Sequence, residues 1–155
     1  MLSMYTVAFL GHRQIDDPLR LEERLEALIR DLVREKEYVN FLVGRNGEFD
    51  QCVASAVRRV HKNYRDDNSA LVLVLPYLTA EYRKNENAFH RYYTGVELSQ
   101  AAVDAHPRAA IRIRNREMVD RADLVICYLQ KEQGGAWQAV KYAGQQGKPI
   151  LNLAE

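Results

Sequence analysis

The sequence predicts an α/β protein built on a doubly wound, mainly parallel sheet of five strands with helices on both faces. Two observations support this fold class. Five short stretches are continuously apolar, which is typical of strands that are buried on both faces. Amphipathic helical patterns alternate with them, as in α/β sheets. The predicted strands are residues 5–10, 38–43, 70–75, 124–129 and 149–153.

Each of three predicted helices carries an apolar stripe at helical spacing. Asp17 is a suitable N-cap for the first helix, and Pro18 suits its first position. Its stripe consists of Leu21, Leu25, Leu28, Ile29, Leu32 and Val33. Similar stripes cover 53–60 and 136–143, and a further helix is predicted over 107–121. The region 76–106 is less regular, and we expect a short helix near 80–89 followed by an extended or irregular segment.

Length and composition predict one domain over residues 1–155, located in the cytoplasm. A chain of 155 residues can bury a sufficient core without a disulfide or a metal, and we expect Cys52 and Cys127 to be reduced core thiols. The first apolar stretch is too short for a signal peptide or a membrane span. The sequence has neither a dinucleotide-binding fingerprint nor a Walker motif. We therefore expect no cofactor, no metal and no membrane contact.

The charge balance argues against nucleic acid as a partner. Lys and Arg number 22 against 21 Asp and Glu, which gives a net charge of +1. Proteins that bind duplex DNA usually carry a larger positive excess, because they neutralise phosphates. A small anion site remains compatible with this composition.

Glycine-bearing turns follow three of the predicted strands. Ligands of open parallel sheets collect at the carboxyl ends of the strands, where glycines permit close approach and free N–H groups attract anions. The sequence therefore predicts an anion site at this edge. The candidate ligand-binding residues are Gly11, His12, Arg13, Gly44, Gly47, Asp50, Arg114, Asn115, Gly134 and Gly135.

Each of these residues also has a purely structural interpretation. The glycines could serve only the turns. His12 could bond to a backbone carbonyl, and Arg13 could form a salt bridge with Asp50 or another loop carboxylate. Asp50 could instead cap the second helix. Arg114 and Asn115 lie on the helix before the fourth strand, and only part of that helix can face a pocket.

Four motifs resemble a small bacterial branch of the SLOG superfamily. They are "FLGHR", "FLVGRNGEFD", "RNREMVDRADLVICYL" and "GGAWQAVKYA", in that order along the chain. The superfamily has a Rossmann-like fold and includes the "lonely guy" phosphoribohydrolases, sensors of NAD-derived nucleotides and a DNA-processing protein of natural transformation. The resemblance implies a nucleotide-derived ligand held by the strand-end loops.

The resemblance also shows where this chain departs from the phosphoribohydrolases. Arg114 resembles their arginine before the fourth strand, and Gly134 and Gly135 resemble their glycine-rich loop. Where that pattern expects a catalytic glutamate, aligning the paired glycines places Lys141, which cannot replace a carboxylate. Hydrolysis would then require Asp50, Glu117 or His12 as substitute catalytic groups.

These observations predict a module that binds or senses a nucleotide-derived small molecule. A hydrolase acting on a nucleotide or its N-glycosidic bond is the alternative, with the catalytic residues unknown. A third possibility is an interaction protein or nucleic-acid partner that uses the tyrosine-rich region 76–95. Because aromatic residues are enriched at interfaces, we also expect this region to support a homo-oligomer.

Overall fold

The computed structural model describes residues 2–154, which form a six-stranded parallel sheet in the order β4-β3-β2-β1-β5-β6. Every neighbouring pair is parallel. The fold class predicted from the sequence is thus confirmed. The strands are β1 (Met4–Gly11), β2 (Tyr38–Val43), β3 (Ser69–Leu75), β4 (Gly95–Leu98), β5 (Leu124–Tyr128) and β6 (Ile150–Asn152).

The predicted strand count of five is wrong because β4 carries no continuous apolar signal. This strand has four residues, one of which is a glutamate, and it lies at the edge of the sheet. It pairs with β3 alone, from Val72 opposite Gly95 to Leu75 opposite Leu98. An edge strand has a neighbouring strand on one side only and is more exposed to solvent, so its sequence does not need to be apolar throughout.

Helices cover both faces of the sheet, as predicted. They are α1 (Pro18–Glu35), α2 (Glu48–Asn63), α3 (Ala80–Lys84), α4 (Glu86–Tyr92), α5 (Pro107–Arg121) and α6 (Gly135–Gln145). One apolar core joins α1, α2 and α4 to the sheet, and the second joins α5 and α6 to the other face. Asp17 caps α1 as predicted, since its Oδ1 accepts a hydrogen bond from the Arg20 N–H at 3.3 Å.

The short helix predicted near 80–89 is two helices that meet at Asn85. This residue ends α3 and begins α4. Phe89 and Tyr93 are buried against the core, and Tyr82 and Tyr92 pack beside them. The rings therefore do not form a common outward patch, and the homo-oligomer stays a prediction.

The order of the strands places a switch point beside β1. From β1 the chain builds β2, β3 and β4 on one side and then returns to add β5 and β6 on the other. Loops on the two sides diverge at such a point and leave a crevice at the carboxyl ends of the strands. The fold therefore positions a site at the ends of β1, β2 and β5.

Neither cysteine forms a disulfide, and both are buried. Among residues 2–154, no helix is long and apolar enough to cross a membrane. In the same part of the chain, no group of three or more His, Cys, Asp or Glu side chains could hold a metal ion.

Candidate functional site

A cavity of about 230 Å³ opens at the carboxyl edge of the sheet. It lies between the end of β1, the β2–α2 loop, one face of α5 and the first turn of α6. Every ligand-binding residue predicted from the sequence lines it. The remaining lining residues are Phe9, Leu10, Asn46, Ile111, Met118 and Ala136.

Arg114 is a buried cation in the wall of this cavity. Its side chain belongs to α5 and only 2% of the residue is exposed. Nη1 donates to the Val74 carbonyl at 2.7 Å, and Nε donates to Asn115 Oδ1 at 2.9 Å. Among residues 2–154, Nη2 has no hydrogen-bond partner, and it lies 3.2 Å from where a Cβ on Gly44 would stand. The guanidinium is thus fixed by two bonds and keeps one nitrogen unpaired.

Burial lowers the pKa of Arg114, while Asp50 and Tyr77 shift it in the opposite direction. The group still carries its proton at neutral pH, because an arginine pKa lies far above neutrality. A buried, charged group without a full set of partners is costly, so its presence in a cavity indicates a site for an anion.

Asp50 faces Arg114 across Gly44 but forms no ion pair with it within 4.0 Å in the described part of the chain. Its Oδ2 accepts a hydrogen bond from the Asn46 N–H at 2.9 Å. Asp50 therefore braces the β2–α2 loop and does not cap α2, whose N-cap is Gly47. Burial raises the pKa of Asp50, although the Asn46 N–H and Arg114 both favour the charged carboxylate.

His12 acts as an acceptor that holds the β5–α6 loop. Its Nε2 receives hydrogen bonds from the N–H groups of Gln130, at 3.0 Å, and Lys131, at 3.2 Å. Burial lowers the pKa of His12, and the positive charge of Lys131 lowers it further. The ring is thus neutral and structural, although its partners are backbone amides and not the carbonyl considered from the sequence. Arg13 is exposed and, within residues 2–154, forms neither the salt bridge with Asp50 nor any other.

The glycines at this edge serve two different purposes. A Cβ on Gly11 would lie 2.4 Å from the Phe49 ring, and one on Gly47 would lie 2.5 Å from the Arg13 Cα. These two glycines permit close packing of the chain on itself. A Cβ on Gly134 or on Gly135 would meet nothing within 4 Å, so the space before these two glycines is open to a ligand.

The first turn of α6 offers unpaired backbone donors to that space. Gly134, the N-cap, has φ +94° and supplies no side-chain hydrogen bond, and the first turn contains no acidic residue. The N–H groups of Gly135, Ala136 and Trp137 accordingly have no acceptor in the described part of the chain. Such a helix start attracts anions through its N–H groups and its dipole.

Glu117, a catalytic candidate from the sequence, does not line the cavity. Its Oε1 accepts a hydrogen bond from the Ala101 N–H at 3.0 Å. Sequence reasoning also missed Ile111 and Met118, which line the cavity beside Arg114. Their spacing of three and four residues from Arg114 was a usable signal, because such positions share a helix face.

Comparison with known proteins identifies similar folds but does not assign the chain to a family. No protein-family profile matches the chain, and no curated protein matches it in sequence. DNA processing protein A from Helicobacter pylori, which has a unique single-stranded DNA binding mode, has a similar structure, with a TM-score of 0.66 at 15% identity over 94% of this chain. DNA processing protein A (DprA) from Streptococcus pneumoniae has a TM-score of 0.63 at 13% identity over 95% of this chain. The matched region is 63% of the first protein and 49% of the second. The likeness shows a Rossmann-like α/β fold.

These neighbours overturn two predictions made from the sequence. A protein with this fold binds single-stranded DNA, so the prediction of a small-molecule sensor or a nucleotide hydrolase is wrong. The expectation that nucleic acid is not a partner is also wrong. Net charge was a poor guide because it sums over the whole surface: several carboxylates neutralise arginines far from the cavity, as Glu22 and Glu26 do with Arg59.

Proposed function

We propose that this protein binds single-stranded DNA and that the cavity at the carboxyl edge holds a backbone phosphate. The observation that carries the proposal is Arg114, a buried guanidinium whose Nη2 is unpaired among residues 2–154. Gly135 and Ala136, whose N–H groups are unpaired at the start of α6, line the same cavity. Together they supply a charged donor and backbone donors, which is the combination that phosphates bind.

The shape of the site favours a single strand over a duplex. The cavity has a volume of only about 230 Å³ and is lined by residues from the loops after β1 and β2, from α5 and from α6, and a flexible single strand can direct one phosphate into such a space. A binding role needs no catalytic set, and the described residues of the cavity agree with that. Asp50 braces a loop, His12 accepts two amide bonds, and Glu117 lies outside.

Gly135→Asp tests the proposal without disturbing the fold. The new Cβ meets nothing within 4 Å, and an acidic residue in the first turn of a helix is stabilising. The carboxylate would occupy the phosphate position and repel the DNA. We expect the affinity for fluorescent oligothymidylate, measured by anisotropy, to fall at least about tenfold, because juxtaposed like charges cost several kcal/mol.

Gly135→Asn is the matched control, since it has the same shape without the charge. It should bind DNA much more tightly than Gly135→Asp. Equal affinities for Gly135→Asp and the unmodified protein, with both folded, would refute the phosphate site.

The proposal also includes a family, a cellular compartment and an assembly state. We place the chain in the bacterial SLOG branch indicated by its four motifs, in the cytoplasm, and in a homo-oligomer. The absence of a disulfide at Cys52 and Cys127 agrees with a reducing compartment. Light scattering would test the oligomer, which a constant mass of 17.9 kDa at all concentrations would exclude.

A further inference from the structure

A groove between α2 and α4 begins beside the cavity and runs away from it. Within the β2–α2 loop, Gly44 lines the cavity and the next residue, Arg45, lines the first part of the groove. That part has a volume of about 650 Å³, and a second part of about 400 Å³ continues it, with Tyr92 and Tyr93 lining both. We call this surface the α2–α4 groove. Its main residues are Gln51, Ser55, Arg58 and Lys62 from α2 and Arg91 and Tyr92 from α4.

The α2 residues of the groove form one continuous stripe. Gln51, Ser55, Arg58 and Lys62 are spaced by four, three and four positions, which places them on one face of the helix. At 1.5 Å per residue, the stripe extends about 17 Å from Gln51 to Lys62. The groove is therefore long enough for several nucleotides beyond one bound at the cavity.

The far part of the groove carries uncompensated positive charge. Arg58, Lys62 and Arg91 are exposed, and none of them forms an ion pair in the described part of the chain. Asp66 is the carboxylate that lines this part. In contrast, Arg59 is paired with Glu22 and Glu26 on α1 at 3.0 and 3.2 Å.

Arg58 is also held in place by an aromatic ring. Its guanidinium carbon lies 4.1 Å from the centroid of Tyr92, and such stacking restricts a long side chain while leaving its N–H groups free at the edge. A positioned arginine loses less entropy when it binds a phosphate.

We propose that the α2–α4 groove continues the path of single-stranded DNA away from the cavity, with Arg58, Lys62 and Arg91 contacting successive phosphates. This inference rests on the proposed function, because it extends the same strand from the first site. Cationic grooves beside aromatic side chains are typical of proteins that track single strands without reading their sequence.

The test compares Arg58→Glu with the unmodified protein on oligothymidylates of about 4 and about 16 nucleotides, which span the footprints of single-strand binding sites. The long oligonucleotide should bind more tightly to the unmodified protein. Arg58→Glu should weaken its binding about tenfold and lower its salt dependence by about 0.7 per lost phosphate contact. The affinity for the short oligonucleotide should not change.

Arg30→Glu is the matched control. Arg30 is also an exposed arginine over a tyrosine, 4.5 Å from the Tyr64 centroid, but it lies on α1 outside the groove. It should leave both affinities unchanged. Equal weakening by Arg30→Glu, or equal weakening of both lengths by Arg58→Glu, would overturn the groove as the path.

The outcomes separate the groove from the cavity. If the unmodified protein binds neither oligonucleotide, the proposed function fails. If it binds both with one affinity and Arg58→Glu changes neither, the proposed function stands and the groove is excluded.

Discussion

Two glycine-containing regions lie at the same edge of the sheet. The first region is the pair of loops after β1 and β2, and the second is the start of α6. In the first region, side chains and backbone of this chain occupy the space where a Cβ would stand, as Phe49 does at Gly11. In the second region, that space is empty at Gly134 and Gly135. Glycine in the first region is therefore required for packing, whereas in the second it leaves room for a ligand and sets the backbone at the helix start.

The largest expected effect separates the two regions directly. Gly11→Ala places a Cβ 2.4 Å from the fully buried Phe49 ring, and overpacking a core costs about 1–3 kcal/mol. We expect a loss near the upper end in the free energy of unfolding, measured with urea. Adding Phe49→Leu should recover part of the loss, and additive effects of the two substitutions would contradict the contact.

A smaller loss of stability is expected for a substitution at Gly134, and it arises from the backbone conformation alone. Gly134 has φ +94° and ψ 176°, a conformation that is accessible almost only to glycine and costs about 1–3 kcal/mol for other residues. Gly134→Ala should therefore lower the melting temperature although the new methyl group meets nothing within 4 Å. A variant as stable as the unmodified protein would show that this turn tolerates another conformation.

His12, in the loop after β1, links the two regions through hydrogen bonds from the β5–α6 loop to its ring. The stability that these bonds contribute should depend on pH. The pKa of His12 is lowered in the folded protein, chiefly by burial, so the unfolded chain binds the proton more readily. The contribution of His12 to stability is complete above the ordinary pKa of about 6.5 and is lost as the pH falls through the lower, folded value.

Melting temperatures measured from pH 7 down to pH 5 should therefore fall less steeply for His12→Gln, which does not titrate. The pKa of His61 is also lowered, by burial, so His61→Gln is the necessary parallel. Identical pH profiles for His12→Gln and the unmodified protein would contradict the role of the ring.

The smallest effect is expected at Gly135 and has the opposite sign. Gly135→Ala adds a methyl group in open space at the first position of α6. Alanine restricts the unfolded chain more than glycine does, and such a change stabilises by about 0.4–1 kcal/mol where the backbone is compatible. A loss comparable with that of Gly11→Ala would remove the distinction between the two regions.

The sequence was sufficient for most of the fold, because buried parallel strands and amphipathic helices leave strong periodic signals. β4 was not predicted because an edge strand needs no continuous apolar run. The division into two helices at Asn85 was not predicted because α3 and α4 are short. The residues of the candidate site could be predicted because carboxyl ends of parallel strands converge. Their separate tasks could not, since nothing in the sequence shows that Phe49 fills the space at Gly11 or that Glu117 bonds to the 99–106 loop.

The sequence by itself determined the doubly wound α/β class, the positions of the glycine turns and the presence of Arg114 before β5, because these depend on local periodicity and on chain order. Tertiary structure decided which groups remain unpaired. The Val74 carbonyl on β3 and Asn115 Oδ1 accept hydrogen bonds from Nη1 and Nε of Arg114, and Nη2 has no partner among residues 2–154. It also decided where positive charge is concentrated, since Arg59 meets two carboxylates while its neighbour Arg58 faces a groove. Pairing depends on contacts between residues far apart in the chain, and a net charge of +1 carries no record of those contacts.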